Sequence, residues 1–404
     1  VPSPPADALG FLFVVPPFTG HVNPTVPVAA RLVADGHRVA WTGVPGTVEH
    51  LLLDGATFLP ATPPEVTGYA GEMAARRSDL RGAAAFKFLQ EEVLLPLGDA
   101  MVDGVDAAVD AFGADVLVVD QQALAGAVVG RRRGLPWATS ATTSAELVDP
   151  LAGLPLVAEA MHRRRVELQL AHGIPAHVAE AGDLRVSEHL LLAYTTAELV
   201  GPLAVEAPVT FVGPAIAGRP ESDDFPWDRI DPSVPTVLVS LGTLNAEAGA
   251  RFWQVAAEAC RGQRWQAVFV APPELVPDAP ANVLVRRHVP QLALLHRVDA
   301  VVSHAGHNTV CESLAAGLPL VLAPIRDDQP VVADQVVQAG AGVRVRFARV
   351  RAEELRTAIA TVLSDEELQA AAGRISKSFA AAGGPAAAAS SLVALGSGGV
   401  GGTH

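Results

Sequence analysis

Short runs of almost unbroken apolar residues, alternating with stretches of helical period, constrain this chain more than any other feature. Five lie in the first half, at 11–15, 38–42, 115–119, 137–139 and 190–194. Five more come later: "TVLVSLG" at 236–242, "QAVFVA" at 266–271, "NVLVRRHV" at 282–289, "AVVSH" at 300–304 and "PLVLAP" at 319–324. Between many of them lie alanine- and leucine-rich stretches such as 24–35 and 91–110, which carry the helical period. A strand that is apolar on both faces needs cover on both, so the pattern predicts parallel sheets sandwiched between helices.

The two series are separated by "GPAIAGRPESDDFPWDRIDPSVP", Gly213 to Pro235, a stretch rich in proline, glycine and acid. With 404 residues, half of them hydrophobic, the chain is too long for one ordinary core and suits two. The expected architecture is α/β, with two doubly wound Rossmann-like domains facing a central cleft. The expected boundaries are an N-terminal domain at 1–213, a linker at 214–235, a C-terminal domain at 236–395 and a flexible tail at 396–404. Chemistry in such folds gathers at the carboxyl ends of the strands.

A formal charge of −14 gives no electrostatic reason to expect nucleic acid or an anionic membrane as partner. The only cysteines, Cys260 and Cys311, are too sparse for a disulfide framework and suggest a reducing compartment. No window reaches the roughly 18 to 20 apolar residues of a membrane span. "FLFVV" at 11–15 lacks the flanks of a secretory signal. The expected setting is therefore the cytoplasm, with no integral membrane association. No His/Cys cluster has zinc spacing, so no metal is expected.

In "VVSHAGHNTVCESLAAGLPLVLAP", Val301 to Pro324, a strand ending at Ser303 or His304 turns through Ala305 and Gly306 into a helix expected to start near Thr309. Small residues let a ligand approach the backbone, and the free N–H groups of a helix N-terminus favour an anion. His304 and Asn308 add hydrogen-bonding capacity. Thr309 with Glu312 equally spells a capping box that serves stability alone. Farther on, "PLVLAPIRDDQP" runs from a strand into Arg326, Asp327, Asp328 and Gln329. Carboxylate beside carboxamide suits vicinal hydroxyls, and a solvated acidic loop is the alternative. Near the start, "FTGHVNP" puts His21 between the first strand and its helix, while Asp120 ends "DVLVVD" in the same half. An aspartate bonded to an imidazole fixes its tautomer and leaves the far nitrogen to accept a proton. His21 as a structural residue, and Asp120 as the cap of the helix "QQALAGAVV", are the alternatives.

Taken together, these stretches resemble the nucleotide-sugar-dependent glycosyltransferases of the GT-B fold, in particular the UDP-glycosyltransferase superfamily and its bacterial natural-product branch. The likeness spans most of the chain: "GHVNP" near the start, "VSLGT" at 239–243, "HVPQLALL" at 288–295, "HAGHNTVCESLAAGLP" at 304–319 and "DDQP" at 327–330, in family order.

The resemblance implies that the C-terminal half holds the donor. His304, Gly306, Asn308 and Thr309 would meet the diphosphate, Gly242 and Thr243 would close over it, and Glu312 would bind ribose. Gln291, with His288 and Val289, would lie near the nucleoside, and Asp328 and Gln329 would hold sugar hydroxyls. The N-terminal half would bind the acceptor, with His21 as general base, Asp120 as its orienting partner and Thr142, in "PWATSATTS", lining the sugar pocket. The chain departs from its relatives at His288, where a tryptophan often stacks on the base, at His307, and at Val332, where an asparagine is common.

The implied reaction is an inverting transfer from a UDP- or dTDP-sugar to a small, hydroxylated, largely apolar acceptor, with the nucleotide sugar as co-substrate and no cofactor. A sugar-nucleotide epimerase and a non-catalytic sugar-nucleotide-binding protein are the competing classes. Both fit the pairing of His21 with Asp120 less well, because that pair suits deprotonation of a second substrate. Residues 60–100 and 145–185 are expected to frame the acceptor, and their arginine runs suit either an acidic acceptor or a solvated helix face. A homodimer stays open as a partner arrangement.

Overall fold

The computed structural model describes residues 8–62, 82–148, 151, 153–216, 225–242 and 249–398. Within them the chain forms two sheets. The first contains β1 (Gly10–Val14), β2 (Arg38–Gly43), β3 (Thr57–Pro60), β4 (Val116–Asp120), β5 (Trp137–Ala141), β6 (Leu190–Ala193) and β7 (Val209–Phe211), in the order β3-β2-β1-β4-β5-β6-β7. The second contains β8 (Thr236–Ser240), β9 (Gln266–Val270), β10 (Val283–Arg286), β11 (Ala300–Ser303), β12 (Leu320–Leu322) and β13 (Gly342–Arg344), in the order β10-β9-β8-β11-β12-β13. Every strand pairing is parallel. The expected pair of doubly wound Rossmann-like folds is what forms.

The double-sided burial has a direct cause in the strand period of two. Phe11 and Phe13 enter one core with Val28, Ala29 and Leu32 of the helix Thr25–Ala34, while Leu12 and Val14 enter the opposite core with Leu97, Met101 and Val105 of the helix Leu95–Phe112. In the second sheet Val237 and Val239 face one core and Leu238 the other. Strands β3, β7 and β13 fall outside the apolar runs. They are short edge strands, half-buried or exposed over much of their length, and an edge strand does not need unbroken apolar sequence.

The chain divides into two compact units, and their boundaries differ from the expected ones. The first comprises Val1–Tyr194, Leu203–Arg219 and Ala382–His404, and the second Thr195–Pro202 and Pro220–Ala381. The expected C-terminal domain at 236–395 is corrected at its end. Ala388, Ala389, Leu392 and Leu395 of the helix Gly384–Gly396 line one face at helical spacing and bury it against the helix Thr25–Ala34 and β1 of the first unit. Conversely, Leu199 of the short helix Ala197–Val200 is buried in the second unit.

The linker expected at 214–235 is also only partly a linker. Residues 217–224 lie outside the described residues, and from Phe225 onward the chain packs into the second unit. There Phe225 is buried with its ring 4.7 Å from that of Trp227. The tail expected from 396 falls largely outside the described residues, which end at 398. Among the described residues no single helix is long and apolar enough to cross a membrane.

Candidate active site

Each sheet reverses its strand order once, between β1 and β4 in the first and between β8 and β11 in the second. Such a switch point opens a crevice, because the loops leaving the two central strands diverge to opposite faces. His21 and Asp120 lie at the first of these places and Gly242, His304 and Gly306 at the second, while Gln291 follows the edge strand β10 and Asp328 and Gln329 follow β12.

In the first unit the chain leaves β1 through Pro16, Pro17 and Phe18 into the short helix Thr19–Val22, which carries His21. Asp120 is the last residue of β4 and pairs with Ser140 of β5, so Thr142 emerges two residues beyond that partner on the neighbouring strand. The three side chains meet. Nδ1 of His21 lies 3.0 Å from each carboxylate oxygen of Asp120 and 2.8 Å from Oγ1 of Thr142, and that hydroxyl donates to Oδ2 of Asp120 at 2.7 Å.

One assignment of protons satisfies these distances: Nδ1–H of His21 donates to the carboxylate and the threonine oxygen, and the lone pair sits on Nε2. The backbone N–H of Gln122 donates to Oδ1 of Asp120 at 2.8 Å. The side chain of Asp120 is fully buried and meets three donors, while His21 keeps 17% of its side chain exposed. The capping alternative for Asp120 does not arise, because the next helix, Leu124–Arg133, starts later with Ala123 at its N-cap. Thr142, expected to line the sugar pocket, has its hydroxyl engaged by His21 and Asp120. Below them Ser140 donates to the phenol of Tyr194 at 3.2 Å, and burial pushes that phenol up to about 12, so it stays neutral.

In the second unit β8 runs into Gly242 and β11 into His304, with Ser240 and Ser303 in register. His304 is buried, and its ring lies between the two glycines. A Cβ at Gly242 would fall 2.7 Å from its Cε1, and one at Gly306 would fall 2.4 Å from its Nε2. Burial lowers its pKa to about 4, against a backbone hydrogen bond with Ser240 that works the other way, so His304 is neutral at physiological pH. The charge of the buried Arg326 acts in the same direction as burial.

The helix starts at His307, with Gly306 as its N-cap and no side-chain cap, two residues earlier than expected. The capping-box alternative therefore fails: Thr309 stands inside the first turn. Glu312 is buried and accepts from the carboxamide of Gln291, the first residue of the helix Gln291–Leu295. Asn308 and Thr309 are half-buried in the first turn. His288 is exposed and Val289 half-buried in the loop leading to Gln291.

Beyond β12, Asp328 is the N-cap position of the helix Gln329–Gln338. The carbonyl oxygen of the Gln329 side chain accepts from the backbone N–H groups of Ile325 and Arg326, at 2.9 and 3.1 Å, and so closes the loop. Its carboxamide nitrogen is not part of that pair. Thr243 lies outside the described residues. Among the described residues no group of three or more His, Cys, Asp or Glu side chains is placed to hold a metal ion.

Two features of this site were not legible as such in the sequence. Ala305 and Asp327 are the only non-glycine residues with positive φ among those described, at 66° and 60°, and they come two and five residues after β11 and β12. Backbone held in that region is strained and collects where a loop is shaped for a ligand. The second is Arg326, a buried cation felt by His304 within a cluster otherwise read for its acids. The cluster in the first unit has the chemistry to take a proton at Nε2 of His21; the one in the second, taken by itself, has a neutral imidazole, backbone N–H groups and positive potential suited to an anion at the start of the helix His307–Ala315.

Comparison with known proteins bears on both halves. Residues 271–395 match the family model described as the C-terminal domain of erythromycin biosynthesis protein CIII-like proteins. The chain is 32% identical to 4'-demethylrebeccamycin synthase from Lentzea aerocolonigenes, over 92% of this chain and 95% of that protein. It is 28% identical to the NDP-glycosyltransferase YjiC of Bacillus subtilis (strain 168), over 94% and 95%. Among solved structures, the glycosyltransferase of kitacinnamycin superposes with a TM-score of 0.78 at 26% identity, covering 96% of this chain and 99% of that one.

Proposed function

This chain belongs to the nucleotide-sugar-dependent glycosyltransferases of the GT-B fold, in their natural-product branch, and we propose that it catalyses an inverting, metal-independent transfer. The donor is a UDP- or dTDP-sugar held by the second unit. The acceptor is a hydroxyl of a small, largely apolar molecule, bound by the first. Names such as 4'-demethylrebeccamycin synthase and the glycosyltransferase of kitacinnamycin, given to similar proteins, support a natural-product acceptor.

The acceptor oxygen attacks the anomeric carbon while its proton passes to Nε2 of His21. The new C–O bond forms as the bond from that carbon to the diphosphate oxygen breaks on the opposite face. Asp120 holds the imidazole in the required tautomer and stabilises its protonated form, and general-base assistance of this kind is worth about 10²- to 10⁴-fold. The negative charge on the departing diphosphate is met by backbone N–H groups at the start of the helix His307–Ala315, by His304 and by the potential of Arg326, all in place beforehand. Gln291 and Glu312 serve the nucleoside, with His288 and Val289 beside them, and Asp328 and Gln329 serve the sugar.

The observation that carries this proposal is the contact of Nδ1 of His21 with both oxygens of a buried Asp120, at the switch point of the first sheet. Its test is incubation with UDP- and dTDP-sugars and a panel of phenolic and polyhydroxylated acceptors, read by mass spectrometry for a hexose or deoxyhexose increment. His21→Ala is expected to lose most transfer and keep nucleotide binding. Undiminished transfer by that variant would overturn the assignment, and conversion of the donor without any acceptor would point to an epimerase.

A further inference from the structure

Away from both candidate clusters, the first unit holds a group of four charges. Arg185 donates through Nε and Nη2 to the two oxygens of Asp183, at 3.1, 3.2 and 2.6 Å, and through Nη1 to Glu146. Arg165, from the helix Pro155–Ala171, approaches Asp183 at 3.4 Å. The side chains of Arg185 and Glu146 are 19% and 14% exposed, so water screens the pair poorly. Burial works against the charge of Arg185, yet Glu146 and Asp183 together hold its pKa above the ordinary value. Desolvation likewise opposes the charge of Asp183, and Arg185 together with Arg165 keeps its pKa below the usual carboxylate range.

The location of this cluster gives it meaning. Thr142, which bonds both His21 and Asp120, lies in a segment that the turn 183–187 grips on both sides. Before Thr142, the hydroxyl of Thr139 donates to the carbonyl of Arg185 at 3.2 Å and accepts from the N–H of Ser187 at 2.8 Å, while Ser187 Oγ donates to the carbonyl of Trp137. After Thr142, the turn Ser144–Leu147 presents Glu146 to the guanidinium of Arg185. Strand pairing ends at Ala141, the last residue of β5, so the chain beyond it needs a constraint from outside the sheet. The grip supplies one, beside the bond from the N–H of Ala204 to the carbonyl of Leu147 at 2.9 Å.

We propose that Arg185, through Glu146, is a positioning residue for the reaction: it fixes the segment that carries Thr142 and thereby the rotamer of His21. The inference rests on His21 as general base. A structural ion pair alone would set stability. A clamp acting through Thr142 sets the turnover step and leaves the donor site, which lies in the other unit, untouched.

The experiment is a double-mutant cycle in the full-length chain, using the donor and phenolic acceptor that the wild-type protein turns over. Glu146→Gln keeps the bidentate Arg185–Asp183 contact and the side-chain shape, so it is the first variant. It is expected to lower kcat by about 10- to 100-fold, as a misplaced reacting group does, with KM for the donor within about twofold of wild type. Thr142→Val should lower kcat similarly, and in its background Glu146→Gln should cost less than about twofold, because the route is already cut. Arg185→Lys, which keeps the charge and loses the fork, should fall between wild type and Glu146→Gln and carries the same comparison if that variant does not fold.

Wild-type kcat in Glu146→Gln, or full additivity with Thr142→Val, would overturn the proposal. His21→Ala separates the two readings: if it transfers sugar normally, the base assignment fails, whereas its loss of transfer together with additive Glu146 and Thr142 effects removes the clamp alone.

Discussion

A Cβ on Gly306 would stand 2.4 Å from Nε2 of His304, closer than a real methyl group can come. The φ of Gly306 is −63°, a value open to any residue, so the space taken by the imidazole is the reason for a glycine there. Gly306→Ala must therefore move the ring. The cost of such overpacking is roughly 1–3 kcal/mol, and affinity for UDP or dTDP, measured by calorimetry, should fall about tenfold or more. Unchanged affinity would show that His304 has no part in holding the diphosphate. Gly242→Ala should be worse, because φ there is 72° and backbone strain adds to the collision.

Asp120→Asn removes the charge that stabilises a protonated His21 while preserving volume. The carboxamide can present its N–H₂ to Nδ1 and so favour the wrong tautomer. Turnover should drop by roughly 10²- to 10⁴-fold with little change in KM for the donor. Steady-state kinetics at saturating acceptor measures it, and a purely raised KM with normal kcat would contradict the role given to Asp120.

His304 carries a pH signature. Its pKa in the folded protein is about 4 against 6.5 unperturbed, so between those values the unfolded chain binds more protons than the folded one. Its contribution to stability is therefore fully present above pH 6.5 and is lost as pH falls toward 4. The effect is of order 3 kcal/mol at most. Urea unfolding of wild type and His304→Gln across this range should show the wild type losing more stability on acidification, the difference cancelling every group the two proteins share. Parallel curves would remove the assigned shift.

The last helix provides a test of the unit boundaries. Leu392 is fully buried with Phe11, Phe13 and Leu32, so Leu392→Ala should destabilise the first unit by about 2 to 5 kcal/mol. Hydrogen exchange should speed up in β1 and in the helix Thr25–Ala34 and stay unchanged in β8 and β11. Faster exchange in the second unit instead would place the helix there.

How much of the fold and site was legible from residues alone depended on the range of the interaction. Apolar runs and helical periods are local, and burial on both faces writes itself into consecutive residues. The interior strands, the two-unit plan and the family likeness of the motifs at His21, His304 and Asp328 were therefore legible. Edge strands such as β13 were not, because a strand with little cover leaves little pattern. A periodic face such as Ala388, Leu392 and Leu395 announces that it will be buried without saying against what. That depends on which sheet lies within reach of the returning chain.

The sequence by itself determined two parallel α/β cores and the set of side chains able to do acid–base and anion-binding chemistry. Tertiary structure alone decided that Thr142 joins His21 and Asp120 and that Arg185 reaches Glu146. It also decided that Gly306 makes room for an imidazole and that the C-terminal helix returns to the first sheet. The reason is separation along the chain: His21 and Asp120 are 99 residues apart and become neighbours because strand order puts β1 beside β4. Hydrophobic periodicity reports how each strand is buried and carries no record of which strand will lie next to it.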